Sequence, residues 1–202
     1  MSCVFCNIDK SKLENTIIDE SDNFVVLPTI GALVDGYLMI ISKKHINSMS
    51  GLEEKERVEY EFLIEKYRNK FKNIYNKFPI VFEHGSPINN SDMKASSVIH
   101  AHTHIVNHQF LDESIIIKKL KLNRIDNLNC LSKKQNYIMY INPENVCYVS
   151  YNFEPVSQMM RKIIAKDLGY EDKFDWKKEK FIENINSTIK KFKKETNYKK
   201  ST

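Results

Sequence analysis

Ser97-Val98-Ile99-His100-Ala101-His102-Thr103-His104-Ile105-Val106 is the stretch on which the reading of this chain turns. β-Branched residues flank the imidazoles, as in a strand. Residues two apart in a strand share a face, so the spacing predicts His100, His102 and His104 on one side and Ile99, Ala101, Thr103 and Ile105 on the other. A lone buried imidazole is commonly a hydrogen-bonded core residue, but three at period two are not a core pattern. Adjacent rings should lie about 7 Å apart at a rise of ~3.3 Å per residue. That is too wide for all three to hold one metal and well suited to an extended polyphosphate, and the three need not share one job.

Outward from this row, strand-like runs alternate with turn residues at Thr16 to Asp19, Asn23 to Leu27, Tyr37 to Ser42 and Ile80 to Glu83. Between the last two, Leu52, Val58, Phe62, Leu63, Tyr67, Phe71 and Ile74 recur at helical spacing, which predicts one long amphipathic helix over Gly51 to Lys77. A second helix is expected over Asp112 to Lys121, and strands over Tyr137 to Asn142 and Val146 to Tyr151. Then comes a helix over Ser157 to Leu168, with Ser157 as N-cap and Gly169 as stop, and another over Lys177 to Lys194, fraying from Glu195. The order is that of an α+β fold, with the composition shifting near Tyr151. We therefore expect a main domain over 1–150 and a helical C-terminal extension over 151–202 packed on it.

The chain of 202 residues is 42% hydrophobic and 28% charged with five Gly and five Pro, which excludes a disordered or collagen-like protein. Its longest apolar runs, Gly36 to Ile41 and Ser114 to Ile117, fall far short of the ~18–20 residues of a membrane span. Met1-Ser2-Cys3 opens without a basic and then apolar leader, so a cytoplasmic protein with no membrane partner is expected. The net charge of +5 belongs to the tail, where ten Lys face four acids from Lys173 onward. Without Arg clusters or interleaved aromatics, that stretch reads as a solvated face and not as a nucleic-acid patch.

Cys3-Val4-Phe5-Cys6 has the spacing of a zinc half-site or a redox pair. Redox pairs sit at a helix N-terminus after a strand, and no strand precedes this one, which favours zinc. A tetrahedral site needs two more ligands, and His45 after its predicted strand and His100 at the head of the histidine row are the candidates. Cys130 and Cys147 have no neighbouring partner and are expected as small buried hydrophobes. His108 is expected on a surface loop.

With these residues in view, the chain resembles the histidine triad (HIT) superfamily of nucleotide-binding hydrolases and transferases. The resemblance rests on the row His100-x-His102-x-His104, Cys3-x-x-Cys6, Pro28-Thr29-Ile30-Gly31-Ala32-Leu33-Val34, Gly36-Tyr37-Leu38-Met39-Ile40-Ile41 and Lys43-Lys44-His45. Phe82-Glu83-His84-Gly85, Pro155-Val156-Ser157-Gln158 with Arg161, Leu168-Gly169 and Asp175-Trp176 are similar to a branch with a helical C-terminal extension. The implied fold is an antiparallel sheet with one long helix packed on it.

The implied chemistry is attack of His102 on the α-phosphorus of a bound nucleoside phosphate conjugate or dinucleoside polyphosphate, through a nucleotidyl-imidazole. His104 would donate to phosphate oxygens, and Ser96 and Ser97 would share the developing charge. Zinc-bearing members hold a structural ion on residues matching Cys3, Cys6, His45 and His100. Thr29 stands where an acidic residue often binds the ribose hydroxyls, and Ala95-Ser96-Ser97 where Gly-Gln-Ser is common. His84 reads equally as a substrate contact or a structural hydrogen bond.

His104, and not Gln, at its position leans toward the hydrolases. A nucleotidyltransferase and a non-catalytic nucleotide-sensing module are the alternatives. The implied partner is a small-molecule nucleotide, and members of this kind commonly form homodimers through the long helix and an edge strand.

Overall fold

A computed structural model describes residues 3–87, 98–154 and 156–198, apart from the side chains of 196–198. Ser96 and Ser97 lie outside the described residues. Among the described residues the strands are β1 (Asp19–Glu20), β2 (Phe24–Pro28), β3 (Tyr37–Ser42), β4 (Ile80–Gly85), β5 (His102–Val106), β6 (Asn123–Ile125), β7 (Tyr137–Ile141) and β8 (Cys147–Ser150). The helices are α1 (Glu54–Tyr75), α2 (Glu113–Leu120), α3 (Met159–Asp167) and α4 (Ile182–Tyr198). The protein is an α+β fold built on one antiparallel sheet of order β1-β2-β3-β5-β4-β7-β8-β6. No helix is long and apolar enough to cross a membrane among the described residues.

Alternation along the strands divides the core in two. On one face Val26, Leu38, Ile40, Val81, Ile105 and Met139 pack against Tyr60, Leu63, Ile64, Tyr67 and Phe71 of α1, with Phe192 of α4 joining them. The apolar stripe of α1 is therefore consumed inside the chain, while Val58 and Phe62 point to solvent. Helix α1 opens on a capping box: the Glu53 side chain accepts from the N–H of Glu56, and the Glu56 carboxylate accepts from the N–H of Glu53 at 2.8 Å. It stops at Asn76, which is left-handed at φ 56°.

On the opposite face Tyr37, Ile80, Phe82, Ile138 and Tyr140 pack against Ile116 and Leu120 of α2, Ile164 of α3 and Ile185 of α4. Val25, Leu27, Met39 and Ile41 continue this face toward β1, under Phe5 and Ile8 of the N-terminal arm. Between these two apolar patches lie His84, His102 and His104.

Strand β4 has a partner on each side, β5 and β7. The free edges are β1 and β6, two and three residues long, too short to invite pairing. Gly85 lies opposite Tyr137, whose ring folds over it; a Cβ on residue 85 would fall 2.1 Å from that ring.

The structure departs from the sequence reading at several places. The triad strand begins at His102 and not at Val98, because the chain at 100–101 bonds to the loop after β3: Ala101 N–H donates to Ile46 O at 2.7 Å, and Ser42 N–H to Ala101 O at 3.2 Å. Strand β6 carries no alternating apolar signal and was not expected. Gln158, left-handed at φ 59°, and not Ser157, precedes α3. Helix α4 starts five residues late and runs on through Glu195, which pairs with Lys70 at 3.3 Å instead of fraying. His108 is buried, 3.0 Å from Asp167, not on the surface. Cys130 is exposed, while Cys147 is half-buried against the α1 core.

One acid sits inside the α1 core. Glu83 of β4 accepts the Met49 N–H at 2.7 Å and the Tyr137 hydroxyl at 2.6 Å, tying the β3–α1 connection to the sheet. Burial pushes its carboxyl up to about 7, against the pull of those two donors. The folded protein then keeps a proton that the unfolded chain loses near pH 4.5. Stability falls as pH rises through this window by about 3 kcal/mol and levels off above it. Glu83→Gln imitates the protonated acid. Between pH 4.5 and 8 the unfolding free energy of the native protein should drop by that amount relative to the variant; parallel urea-denaturation curves for the two across this range would show that Glu83 does not titrate in the fold.

Candidate active site and metal cluster

The sheet register sets the centre of the site. His102 lies opposite Ile41 of β3, and His104 opposite Met39 of β3 and Phe82 of β4, so both imidazoles leave the sheet on the face away from α1. Thr103 between them points the other way and bonds the Tyr60 hydroxyl at 2.7 Å. The two histidine rings stand 5.0 Å apart, edge to face. Phe82 stacks on His104 at 4.7 Å, and Phe5 lies 5.2 Å from His102. They form the floor of a cavity of about 410 Å³, which His84, Thr29, Phe5, Arg161 and Trp176 also line.

His100 does not join them. Its Nε2 donates to Ser42 O at 2.7 Å, which leaves Nδ1 with its lone pair facing Cys3 and Cys6. The carbonyl of His100 in turn takes the Nδ1–H of His102 at 2.6 Å. A carbonyl oxygen can only accept, so His102 carries its proton on Nδ1 and its lone pair on Nε2.

Burial holds His102 below the ordinary histidine range, against the opposing pull of its hydrogen bond to the His100 carbonyl and with a smaller downward push from the His100 ring. His104 is held well below it by burial, then by His102, Arg161 and His84. His84 is lowered to about 4 by burial and by His102. All three are neutral imidazoles at pH 7. His84 Nε2 and His104 Nδ1 are buried without a hydrogen-bond partner among the described residues, and the His84 ring packs on Phe153 at 5.2 Å. Thr29 follows β2; its hydroxyl donates to Ile30 O at 3.2 Å.

The second cluster lies where the N-terminal arm meets the start of β5. One ligand atom from each of Cys3, Cys6, His45 and His100 falls within 4.8 Å of the others. Cys3 Sγ is 3.3 Å from His100 Nδ1, Cys6 Sγ 3.1 Å from His45 Nδ1, and the two Nδ1 atoms are 3.2 Å apart. Bonds of about 2.3 Å to sulfur and 2.0 Å to nitrogen in a tetrahedron put ligand atoms about 3.3–3.8 Å from one another, so this donor set fits zinc. The Ser42 carbonyl orients His100 as an outer partner does in such sites. Phe5, between the two cysteines, touches the rings of both His100 and His102 and links the cluster to the cavity.

Arg161 and Trp176 reach the cavity from the C-terminal part of the chain. The sequence carried them only as parts of a resembling segment, since nothing local says that α3 turns its arginine toward the histidines.

Residues 2–120, more than half of the chain, match the family described as "Scavenger mRNA decapping enzyme C-term binding". The chain belongs to this family, within the histidine triad superfamily. No curated protein matches the sequence. Among solved structures, a hypothetical histidine triad nucleotide-binding protein from Sulfolobus tokodaii is 20% identical with a TM-score of 0.42, over 52% of this chain and 67% of that one. A HIT family hydrolase from Clostridium thermocellum is 23% identical with a TM-score of 0.40, over 55% and 94%. A zinc-bound histidine triad family protein from Mycobacterium smegmatis is 20% identical with a TM-score of 0.42, over 56% and 79%.

If the Cys/His cluster binds zinc, metal analysis of the purified protein should find one ion per chain. Removing it with a chelator, or replacing Cys3→Ser, should lower the melting temperature by roughly 5–10 °C, as for loss of a ligand held well above its dissociation constant. A metal-free preparation that melts unchanged in chelator would remove the cluster as a metal site.

Proposed function

We propose that this protein is a nucleotide hydrolase that cleaves nucleoside phosphate conjugates or dinucleoside polyphosphates at the α-phosphorus, with His102 as nucleophile. The observation that carries the reading is the hydrogen bond from His102 Nδ1 to the His100 carbonyl, which leaves the Nε2 lone pair of a neutral imidazole at the floor of the cavity. In the first step Nε2 bonds to phosphorus, the bond to the leaving oxygen breaks, and a nucleotidyl-imidazole forms. In the second, water attacks phosphorus, the P–N bond breaks, and a nucleoside monophosphate leaves with His102 restored. One hard displacement becomes two easier ones.

His104 supplies a ring N–H to the phosphate oxygens as charge develops on them. The resemblance gives Ser96 and Ser97, which lie outside the described residues, a share of the developing charge, while Thr29 meets the ribose and His84 the substrate. Zinc on Cys3, Cys6, His45 and His100 serves structure: it supplies a cross-link that holds the arm, and with it Phe5, against the His102 ring. In this reading residues 1–150 are the nucleotide-binding domain and 151–202 an extension packed on it. A homodimer in this reading joins through the long helix α1 and an edge strand, β1 or β6, since β4 is flanked on both sides within the chain; light scattering measures the oligomeric state.

His102→Ala should reduce turnover of diadenosine polyphosphates by 10³-fold or more, on the order of losing a covalent nucleophile, with the melting temperature nearly unchanged. Mass spectrometry of the quenched native enzyme should find a nucleotidyl group on the peptide containing His102. Full activity in the variant would sink the proposal. Product analysis with added inorganic phosphate reads the transferase alternative, which predicts a nucleoside diphosphate in place of the monophosphate.

A further inference from the structure

The cavity wall contributed by the C-terminal extension holds a buried guanidinium that no carboxylate of the described residues balances. Arg161 of α3 is 6% exposed. Its Nη2 donates to Gly31 O at 2.6 Å and its Nε to Phe174 O at 2.9 Å, and its carbon centre lies 5.8 Å over the Tyr37 ring. Tyr37 also meets His104 edge to face, with ring centres 5.6 Å apart. Among the described residues no ion pair includes Arg161, and neither Asp9 nor Glu14, the acids in the cavity wall, reaches it. Lys12, the other cation in the wall, is 59% exposed and sits 3.8 Å from Asp9. Arg161 is therefore the buried cation of the cavity wall.

A charge taken out of water and met, among the described residues, by two neutral carbonyls and the Tyr37 side chain is costly unless an anion joins it. The fold nevertheless holds it in place. Gly31, at φ 72°, lets the β2–β3 turn come so close to Trp176 that a Cβ there would lie 2.6 Å from the Trp176 Cβ. Arg161 bridges these same two segments, so its fork is fixed before any ligand arrives.

We propose that Arg161 is the phosphate-binding cation of this cavity, its guanidinium taking the anionic oxygens of a nucleoside phosphate seated on His102 and His104. The inference rests on the nucleotide reading given above and adds a residue from α3 to it. It defines the ligand class as phosphate-bearing: the extension reads the charge of the phosphate, and the neutral nucleoside gains nothing from it. Fork geometry and fixed charge suit a phosphate better than a flexible ammonium would.

The test compares calorimetric binding of AMP and GMP with that of adenosine and guanosine, for the native protein, Arg161→Gln and Arg161→Lys. Gln keeps a donor for a backbone carbonyl and removes the charge; Lys keeps the charge. Binding of the monophosphates by Arg161→Gln should weaken by about 10- to 100-fold, the scale of one charge-assisted contact, with nucleoside binding unchanged and Arg161→Lys intermediate. In the native protein, the Nε–H nuclear magnetic resonance signal of Arg161 should shift on adding AMP and stay in place with adenosine, a readout that needs no variant to fold. Equal losses for nucleoside and nucleotide in both variants would reduce Arg161 to a structural pin and overturn the proposal, as would an unmoved Nε–H signal under saturating AMP. Binding of none of these ligands to the native protein would overturn the nucleotide reading itself, and this inference with it.

Discussion

His100 is held by two hydrogen bonds that together divide the histidine row. Its ring donates to the carbonyl of Ser42, and its own carbonyl accepts from the ring of His102. The first bond turns the His100 lone pair toward Cys3, Cys6 and His45; the second fixes the tautomer of His102 and leaves Nε2 bare. One residue thus belongs to the Cys/His cluster by its side chain and to the cavity by its main chain. Any shift of the chain at 100–101 would disturb both, and the bonds from Ala101 to Ile46 and from Ser42 to Ala101 brace that segment.

The sheet supplies what these bonds require. Antiparallel neighbours on both sides of β5 hold its register, and the pleat sends Thr103 and Ile105 into the α1 core while His102 and His104 face the cavity. Pairing of β4 with β7 extends the sheet past the family-matched region, and α3 and α4 cover the cavity face beside it. The chain after residue 120 therefore closes the sheet on one side and builds a cavity wall on the other. The buried Glu83 adds a polar anchor beneath this arrangement, binding the loop that leads into α1. Burial accounts for the low proton affinity of His84 and His104, and a neutral imidazole is the form that acts as nucleophile or neutral donor.

Much of this was legible from residue order because it depends on local periods. The alternation of His102, Thr103 and His104 declares a two-sided strand, and Tyr60, Leu63, Ile64, Tyr67 and Phe71 declare the buried face of α1 at helical spacing. The spacing of Cys3 and Cys6 announced two ligands, and His45 and His100 were reachable because one follows a predicted strand and the other heads the histidine row. The start of β5, by contrast, was misplaced by four residues. β-Branched flanks favour an extended chain, but whether that chain pairs with a neighbour depends on a loop nearly sixty positions away in sequence.

Residue order alone determined the α+β class, the shared face of His102 and His104 and the pairing of Cys3 with Cys6, since each follows from side-chain type repeated at the pitch of a strand or helix or from a short ligand spacing; the antiparallel sheet came only with the family resemblance. Tertiary structure alone decided which histidine left the row, that β7 would pair with β4, that His108 would be buried beside Asp167, and that Arg161 would enter the cavity wall. Those outcomes come from contacts between segments far apart in the chain, where the balance of burial, charge and backbone hydrogen bonding is set by neighbours that no local pattern names.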